Sequence, residues 1–477
     1  MVDIVFPNST SPGNRPAESS GRLINCFAAK LDDGARNSYA RRRSPGLALI
    51  VDTTIQIGRG AHFYNGVLYV AQKDELSKVY IDGITGNFVT SILGSLPGEK
   101  RVTFARNNKA PIPDILCVTE NDVYIITDSA PPTTLGAGDL PQPLSVTFID
   151  GYFVFPIRDG RFFFSGINDT TINALDFGKA ESRPGGLFNA VTYGEQLLLG
   201  GPSTIEVWSN AGNATGSPFS RTTVIQKGLA STFAVAGFEE GFSTIVFVGD
   251  DNAVYRLDGG YQPTRISNDD LDQLIAETAD KTQLDVNVHV TLGRMWATIT
   301  GPKFSWTYDI GAGLWHERKS YLWPNWRAIV SIKAFNGDWI ALDRENGSVW
   351  RIDGSVLKEG TAPLVMVAQS LPMAQFPNRA LFPRADFDII VGQAKVAGEQ
   401  PIDTDPVCLI RWSDDGGVSW SEPLRRSLGK TGFYSTPISI NRTGMAGRYG
   451  RVWEVSISDP IYASILGGSV TTQGLAR

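Results

Sequence analysis

The sequence predicts an all-β protein: a β-propeller of about seven blades, with six as the alternative, preceded by an N-terminal arm and followed by a C-terminal β-sandwich-like domain. Three observations lead there. Glycine (50) and proline (27) are plentiful and only 19% of the 477 residues are charged, the profile of a turn-rich β protein rather than a helical bundle. A strand–turn–strand phrase recurs through the middle of the chain. Beyond it the recurrence stops while strand patterning continues. The expected division is 1–57 for the arm and first strand, 58–355 for the propeller and 356–477 for the C-terminal domain.

The arm comes first. Pro7, Pro12, Gly13 and Pro16 interrupt regular structure, and then Ser20-Gly21-Arg22-Leu23-Ile24-Asn25-Cys26-Phe27 alternates apolar and polar loosely, like one strand. The stretch from Arg36 to Gly46 is basic and turn-rich. Its plain reading is a solvated loop; its functional reading is a clamp on an acidic partner surface by Arg36, Arg41, Arg42 and Arg43.

The repeat follows. Phe63-Tyr64-Asn65-Gly66-Val67-Leu68, Phe148-Ile149-Asp150-Gly151-Tyr152-Phe153, Thr192-Tyr193-Gly194-Glu195-Gln196-Leu197 and Ala334-Phe335-Asn336-Gly337-Asp338-Trp339 each place a tight-turn pair between apolar strands, the signature of a hairpin. A second phrase closes several units, as in Val79-Tyr80-Ile81-Asp82-Gly83, Val254-Tyr255-Arg256-Leu257-Asp258-Gly259 and Val349-Trp350-Arg351-Ile352-Asp353-Gly354. First strands start near 60, 102, 145, 189, 231, 287 and 328. That is one start every ~40–55 residues, the length of a four-stranded blade. One helix interrupts the series, with Asn268 as a polar cap and apolar Leu271, Leu274 and Ile275 at helical spacing. The C-terminal segment opens with a linker-like run, Phe376-Pro377-Asn378-Arg379-Ala380-Leu381-Phe382-Pro383, before the strand pattern Phe387-Asp388-Ile389-Ile390-Val391.

Composition narrows the function. A net charge of −6 argues against general nucleic-acid binding, although it does not exclude a pore through which DNA must slide without sticking. Cys26, Cys117 and Cys408 lie far apart and read as buried thiols. His62, His289 and His316 have no metal spacing, so no cofactor or metal is expected. The N-terminus lacks the pattern of a secretory signal, and no apolar run reaches the ~18 residues of a membrane span. The carboxylate pairs Asp32-Asp33, Glu239-Glu240, Asp250-Asp251 and Asp269-Asp270 sit at turns or a helix cap. Adjacent strand residues point to opposite faces, so such a pair is not by itself a two-carboxylate site. Five of the tryptophans, Trp296, Trp306, Trp315, Trp323 and Trp326, fall close together and read first as core or interface anchors.

The most specific motif lies near the C-terminus. Ser413-Asp414-Asp415-Gly416-Gly417-Val418-Ser419-Trp420 fits the Asp-box pattern Ser-x-Asp-x-Gly-x-Ser/Thr-Trp. Such a box is a hairpin device: the Asp accepts backbone hydrogen bonds, the glycines take conformations closed to other residues, and the Trp covers the turn. Ser413, Asp415, Gly417, Ser419 and Trp420 are therefore expected to be structural. A propeller with an Asp box also invites two rivals: a sialidase-like glycosidase, or a carbohydrate-binding propeller that recognises a host receptor. One box outside the blades, with no local grouping of arginines, tyrosine and acids, weighs against the enzyme.

Three ordered segments carry a resemblance. They are Arg22-Leu23-Ile24-Asn25 with Ser44-Pro45-Gly46-Leu47; Gly201-Pro202-Ser203-Thr204-Ile205-Glu206 with Gln226-Lys227-Gly228-Leu229-Ala230; and the Asp box continuing into Ser427-Leu428-Gly429-Lys430-Thr431-Gly432 and Ser458-Asp459-Pro460. With these the chain resembles the tail-hub family of short-tailed bacteriophages, also called tail accessory or packaged DNA stabilisation proteins. The resemblance implies a non-enzymatic virion subunit, a homo-oligomer forming a hexameric ring or nozzle below the portal and its head-to-tail adaptor. Tail needle, spikes or fibres would be further partners. The ring would retain packaged genome and conduct DNA at ejection without sequence-specific binding, and it would assemble in the host cytoplasm.

Overall fold

The computed structural model describes residues 1–477 apart from 14–17, 54–56, 137, 214–215, 375–377, 395, 397–400 and 476–477. Pro16 of the arm and Phe376 and Pro377 of the linker-like run lie outside the described residues. The chain forms two compact units. One gathers Leu49–Pro302 and Arg327–Ile352; the other gathers Met1–Ala48, Lys303–Trp326 and Asp353–Arg477. The units thus draw on non-consecutive segments, where the sequence suggested divisions at 57/58 and 355/356. Among the described residues no helix is long and apolar enough to cross a membrane.

The first unit is the propeller. Five four-stranded antiparallel meanders follow one another. They run from Gly58–Tyr64 to Phe88–Ser95, from Thr103–Arg106 to Thr133–Thr134, from Thr147–Ile149 to Phe177–Lys179, from Asn189–Tyr193 to Phe219–Ile225, and from Val235–Ala236 to Gln262–Arg265. The hairpin of Asp285–Thr291 with Arg294–Gly301 takes the sixth place, and Ala328–Ala334, Asp338–Asp343 and Val349–Asp353, joined by Gly46–Val51 from the start of the chain, take the seventh. First strands from all seven line one axial cavity, and Gly58–Tyr64 neighbours Ala328–Ala334, so the ring closes. The expected count of about seven blades is compatible with this arrangement.

Local chemistry explains each sheet. Asn65 and Gly66 have φ of +47° and +79°, and Asp150 and Gly151 have +47° and +91°; these are the paired left-handed residues of a type I′ turn. Between sheets, alternate residues of one strand serve opposite neighbours. Along Ile115–Val118 all four residues are buried: Ile115 and Cys117 pack towards the first sheet, Leu116 and Val118 towards the third. Phe153, Phe155 and Phe163 likewise face the second sheet, while Val154, Phe162 and Phe164 face the fourth. Both faces being covered, inner strands read as apolar runs instead of alternating patterns. Each such Phe contributes ~1.5–3 kcal/mol of burial. The expected helix is present at Asp269–Glu277, where Asn268 Oδ1 accepts the Leu271 amide at 3.0 Å and Leu271 and Ile275 are buried.

The second unit is a two-sheet sandwich. One sheet runs Cys26–Lys30, Tyr39–Arg43, Ser464–Leu475, Arg379–Ile389, Ser439–Asn441, with Val2–Ile4 and Met445–Ala446 added at its sides. The other runs Phe304–Asp309, Leu314–Glu317, Arg22–Ile24, Met366–Gln369, Val452–Ile457, Val407–Ser413, Leu424–Ser427. The first 48 residues therefore supply strands to both sheets. Arg379–Ile389 alternates buried and accessible positions, and its Phe382, Phe387 and Ile389 share one core with Met366, Ile410, Trp453, Val455 and Ile457 of the opposite sheet. Phe387 and Trp453 meet edge to face at 5.5 Å. Cys26 and Cys408 lie in this core and Cys117 in the propeller; burial pushes the thiols of Cys26 and Cys408 up to about 12 and that of Cys117 higher.

Candidate functional site

The Asp box is the turn between Val407–Ser413 and Leu424–Ser427. Asp415 is its hub. Oδ1 accepts the Ser413 hydroxyl at 2.7 Å and the amides of Val418 and Ser419 at 3.0 and 2.9 Å; Oδ2 accepts the Ser419 hydroxyl at 2.5 Å. The Ser413 hydroxyl in turn accepts the Gly417 amide at 2.7 Å, and Gly417 has φ +105°. Burial raises the Asp415 carboxyl, but the donors from Ser419, Ser413 and Val418 outweigh it and hold the group at about 2. Trp420 lies against the Arg411 guanidinium, 4.7 Å from ring centroid to cation, and Arg411 grips Glu454 through two bonds of 2.6 and 2.9 Å. The adjacent Asp414 takes two bonds, 2.7 and 2.9 Å, from Arg451, which has no exposed surface and stacks on Phe382 at 4.6 Å. The box therefore ties its own turn and the neighbouring strand Val452–Ile457. Arg451 carries no sequence signal that would have singled it out.

Of the four arginines of the basic stretch, Arg36 precedes the strand Tyr39–Arg43 and the other three divide by strand parity. Arg41 and Arg43 point into the sandwich and are buried. Arg41 donates to the carbonyls of Pro7 (3.0 Å), Phe6 and Leu466 (3.3 Å) and to Asn8 Oδ1 (2.8 Å). Arg43 donates to the carbonyls of Asp459 (2.8 Å) and Ile457 (2.9 Å), and burial pushes it down to about 10. Neither can serve as the outward clamp that the charge run suggested, because a β-strand sends alternate side chains to opposite faces and theirs is the inner one. Arg36 pairs with Asp388 at the surface, and Arg42 is half-buried.

The other phrases singled out in the sequence also hold backbone. Asn25, in the left-handed region at φ +52°, is buried; its Nδ2 donates to the carbonyls of Lys319 (2.8 Å) and Val365 (3.0 Å), and its Oδ1 accepts the Lys319 amide (2.9 Å). Arg22 forms a two-bond pair with Glu317, at 2.5 and 2.7 Å. In the fourth sheet Glu206 accepts the Ser182 amide (2.7 Å) and the Trp208 indole (3.0 Å). Gly228 passes so near residue 202 that a Cβ would lie 2.3 Å from the Pro202 carbonyl oxygen. Leu428 is buried and bonded through its amide to Pro406 and through its carbonyl to Gly392; Asp459 Oδ2 accepts the Val407 amide at 2.7 Å.

Acid–base chemistry finds little assembly. Asp269 and Asp270 occupy the first turn of the helix, and Asp250 accepts the Gly228 amide at 3.2 Å. Asp251 joins Lys227 (2.5 Å) and the Tyr255 hydroxyl (2.6 Å). Burial, then Asp251, raises the Tyr255 phenol, the opposite of what a phenolate nucleophile requires. Among the described residues no group of three or more His, Cys, Asp or Glu could hold a metal ion. Four of the five clustered tryptophans are structural in place: Trp296, Trp306 and Trp326 are fully buried, Trp315 packs on Tyr308 at 4.8 Å, and Trp326 lies under the Arg318 guanidinium at 4.4 Å.

A family model described as Phage_stabilise, "Bacteriophage P22 Gp10, beta-propeller", matches residues 22–356. No curated protein matches the chain. Among solved structures it is similar to the WD40 beta propeller domain of Doa1, at 12% identity with a TM-score of 0.43, covering 64% of this chain and 96% of that one. It is also similar to the computationally designed Ika8 protein, at 12% identity with a TM-score of 0.37, covering 74% of this chain and 99% of that one.

Proposed function

Because this chain belongs to the phage stabilisation family described as Bacteriophage P22 Gp10, beta-propeller, we propose that it is a non-enzymatic virion protein, the tail-hub or nozzle subunit of a short-tailed phage. Copies form a hexameric ring below the portal and its adaptor, retain packaged DNA and conduct it at ejection. The ring is built in the host cytoplasm and presents needle, spikes or fibres to the outside.

The observation that carries this reading is the family match over residues 22–356, and the roles of the family-like phrases support it. Asn25, Glu206, Gly228, Leu428, Asp415 and Asp459 all spend their polar groups or their lack of a side chain on fixing backbone. A net charge of −6 suits a conduit that must not hold DNA tightly. Ser413, Asp415, Gly417, Ser419 and Trp420 are hairpin staples in this reading. Arg36 and Arg42 are the members of the basic stretch left for contact with a partner. Large rings of one subunit arise from head-to-tail contacts that close. Native mass spectrometry of the purified protein, alongside fluorogenic sialosides and a glycan array, tests the assignment. Hexamers with no turnover and no glycan binding are expected. Sialoside turnover abolished by a single Tyr or Asp substitution, or a glycan-binding monomer, would overturn it.

A further inference from the structure

The propeller's axial cavity, of about 360 Å³, falls within the size range of small-molecule sites. Three consecutive first strands bring cations and rings to it. Lys333 lies near the end of Ala328–Ala334, His62 and Phe63 near the end of Gly58–Tyr64, and Arg106 is the last residue of Thr103–Arg106. Phe104, Phe148 and Phe238 add aromatic wall. Arg101 of the same lining is spent, held by Asp285 at 2.5 Å and stacked on Phe233 at 4.3 Å. Arg106 and Lys333 differ: neither makes an ion pair among the described residues. Arg106 rests over the Tyr64 ring at 5.0 Å, and the Lys333 stem runs beside Gly241, where an added Cβ would lie 2.9 Å from Cδ. His62 adds no charge at neutral pH, because burial, then Arg106, push its imidazole down to about 4.

The fifth sheet departs from a two-residue turn here, as the second does with residues 107–114 between Thr103–Arg106 and Ile115–Val118. The first hairpin closes in two residues at Asn65-Gly66, Asp150-Gly151, Gly194-Glu195 and Leu292-Gly293. In the fifth sheet residues 237–245 separate Val235–Ala236 from Val246–Val248. This longer loop is built rather than loose: the Gly237 amide donates to Glu239 Oε2 at 2.6 Å, the Phe242 amide to the Glu239 carbonyl at 3.0 Å, and the Tyr193 hydroxyl to the Ser243 carbonyl at 2.7 Å. It holds Phe238, 41% exposed, and Glu239 and Glu240 at the cavity.

We propose that this cavity binds a small aromatic carboxylate, with its ring among Phe63, Phe104, Phe148 and Phe238 and its carboxylate gripped by Arg106 and Lys333. A guanidinium and an ammonium that make no ion pair among the described residues match one carboxylate, and Arg does so with two parallel bonds. A dianion would meet Glu239 and Glu240 in the same lining, so a monoanion with an apolar body fits best. The inference rests on the propeller unit alone and is independent of the virion reading.

Isothermal calorimetry of the intact protein with 2-naphthoate tests it, with 2-naphthalenemethanol and inorganic phosphate as comparators. Saturable one-site binding of naphthoate is expected, with none for the alcohol or phosphate. Arg106→Gln combined with Lys333→Gln should weaken it at least ~10-fold, the loss of a charge-assisted grip. Glu240→Gln should tighten it and Phe238→Ser should weaken it; both positions are exposed, so these two variants decide the matter if the double variant does not fold. Absent naphthoate binding, equal binding of the alcohol, or unchanged affinity in folded variants would overturn the proposal.

Discussion

In the propeller unit the first five sheets pair strands that follow one another in the chain, whereas in the sandwich unit Arg22–Ile24 pairs with Leu314–Glu317 on one side and Met366–Gln369 on the other. The two units use a common device across different spans of sequence. In the propeller, fully buried Arg59 donates to the carbonyls of Lys73, Leu96 and Lys100 and to Glu120, no more than 61 positions away. In the sandwich, Arg41 reaches Leu466 at 425 positions and Arg43 reaches Asp459 at 416. Turn chemistry and sheet-on-sheet apolar packing suffice to order neighbours. Segments brought from opposite ends of the chain meet instead around buried guanidiniums that collect carbonyls from several of them at once.

The comparison can be broken experimentally, most strongly in the sandwich. Arg451→Met leaves the buried Thr443 carbonyl unpaired and frees the partly solvated Asp414, and should cost ~2–3 kcal/mol in guanidinium unfolding; a loss below ~1 kcal/mol would mean that the tie is idle. In the propeller the matching test is one of packing. A Cβ at Gly178 would lie 2.2 Å from the Phe162 ring, so Gly178→Ala should cost ~1–3 kcal/mol, and a neutral result would show that the sheets yield more readily than their close contacts imply.

Smaller effects sharpen the picture. Asp415→Ala removes hydrogen bonds from a partly exposed turn, worth ~1 kcal/mol after allowing for solvent. Its carboxyl titrates at about 2 in the fold, below the ordinary ~3.9 of an unfolded Asp. The contribution is therefore complete above pH ~4 and is lost as pH falls towards 2. Melting curves of parent and variant should converge over that window; a constant gap would remove the carboxylate from the explanation. Arg36→Ala, at an exposed pair with Asp388, should change stability by less than ~0.5 kcal/mol.

What could be read from the sequence follows the same division. Asn65-Gly66 and Asp150-Gly151 announce their hairpins because a type I′ turn needs left-handed residues at adjacent positions, a requirement written in two letters. The Asp box is legible for the same reason: Ser413, Asp415 and Ser419 bond to one another within a single turn. Arg41 and Arg43 were misleading, since a run of arginines reads as solvated until the strand Tyr39–Arg43 is seen to face two of them inward. The tie between Arg451 and Asp414, and the placing of Arg22–Ile24 in the sandwich, depend on partners far away in the chain and leave no local trace.

The most direct test of the whole account is electron cryomicroscopy of the intact particle, with this chain traced into the density. A ring of six copies around the tail axis, beneath the portal and its adaptor, is predicted. Density for the chain in a peripheral fibre, or its absence from the particle, would contradict it.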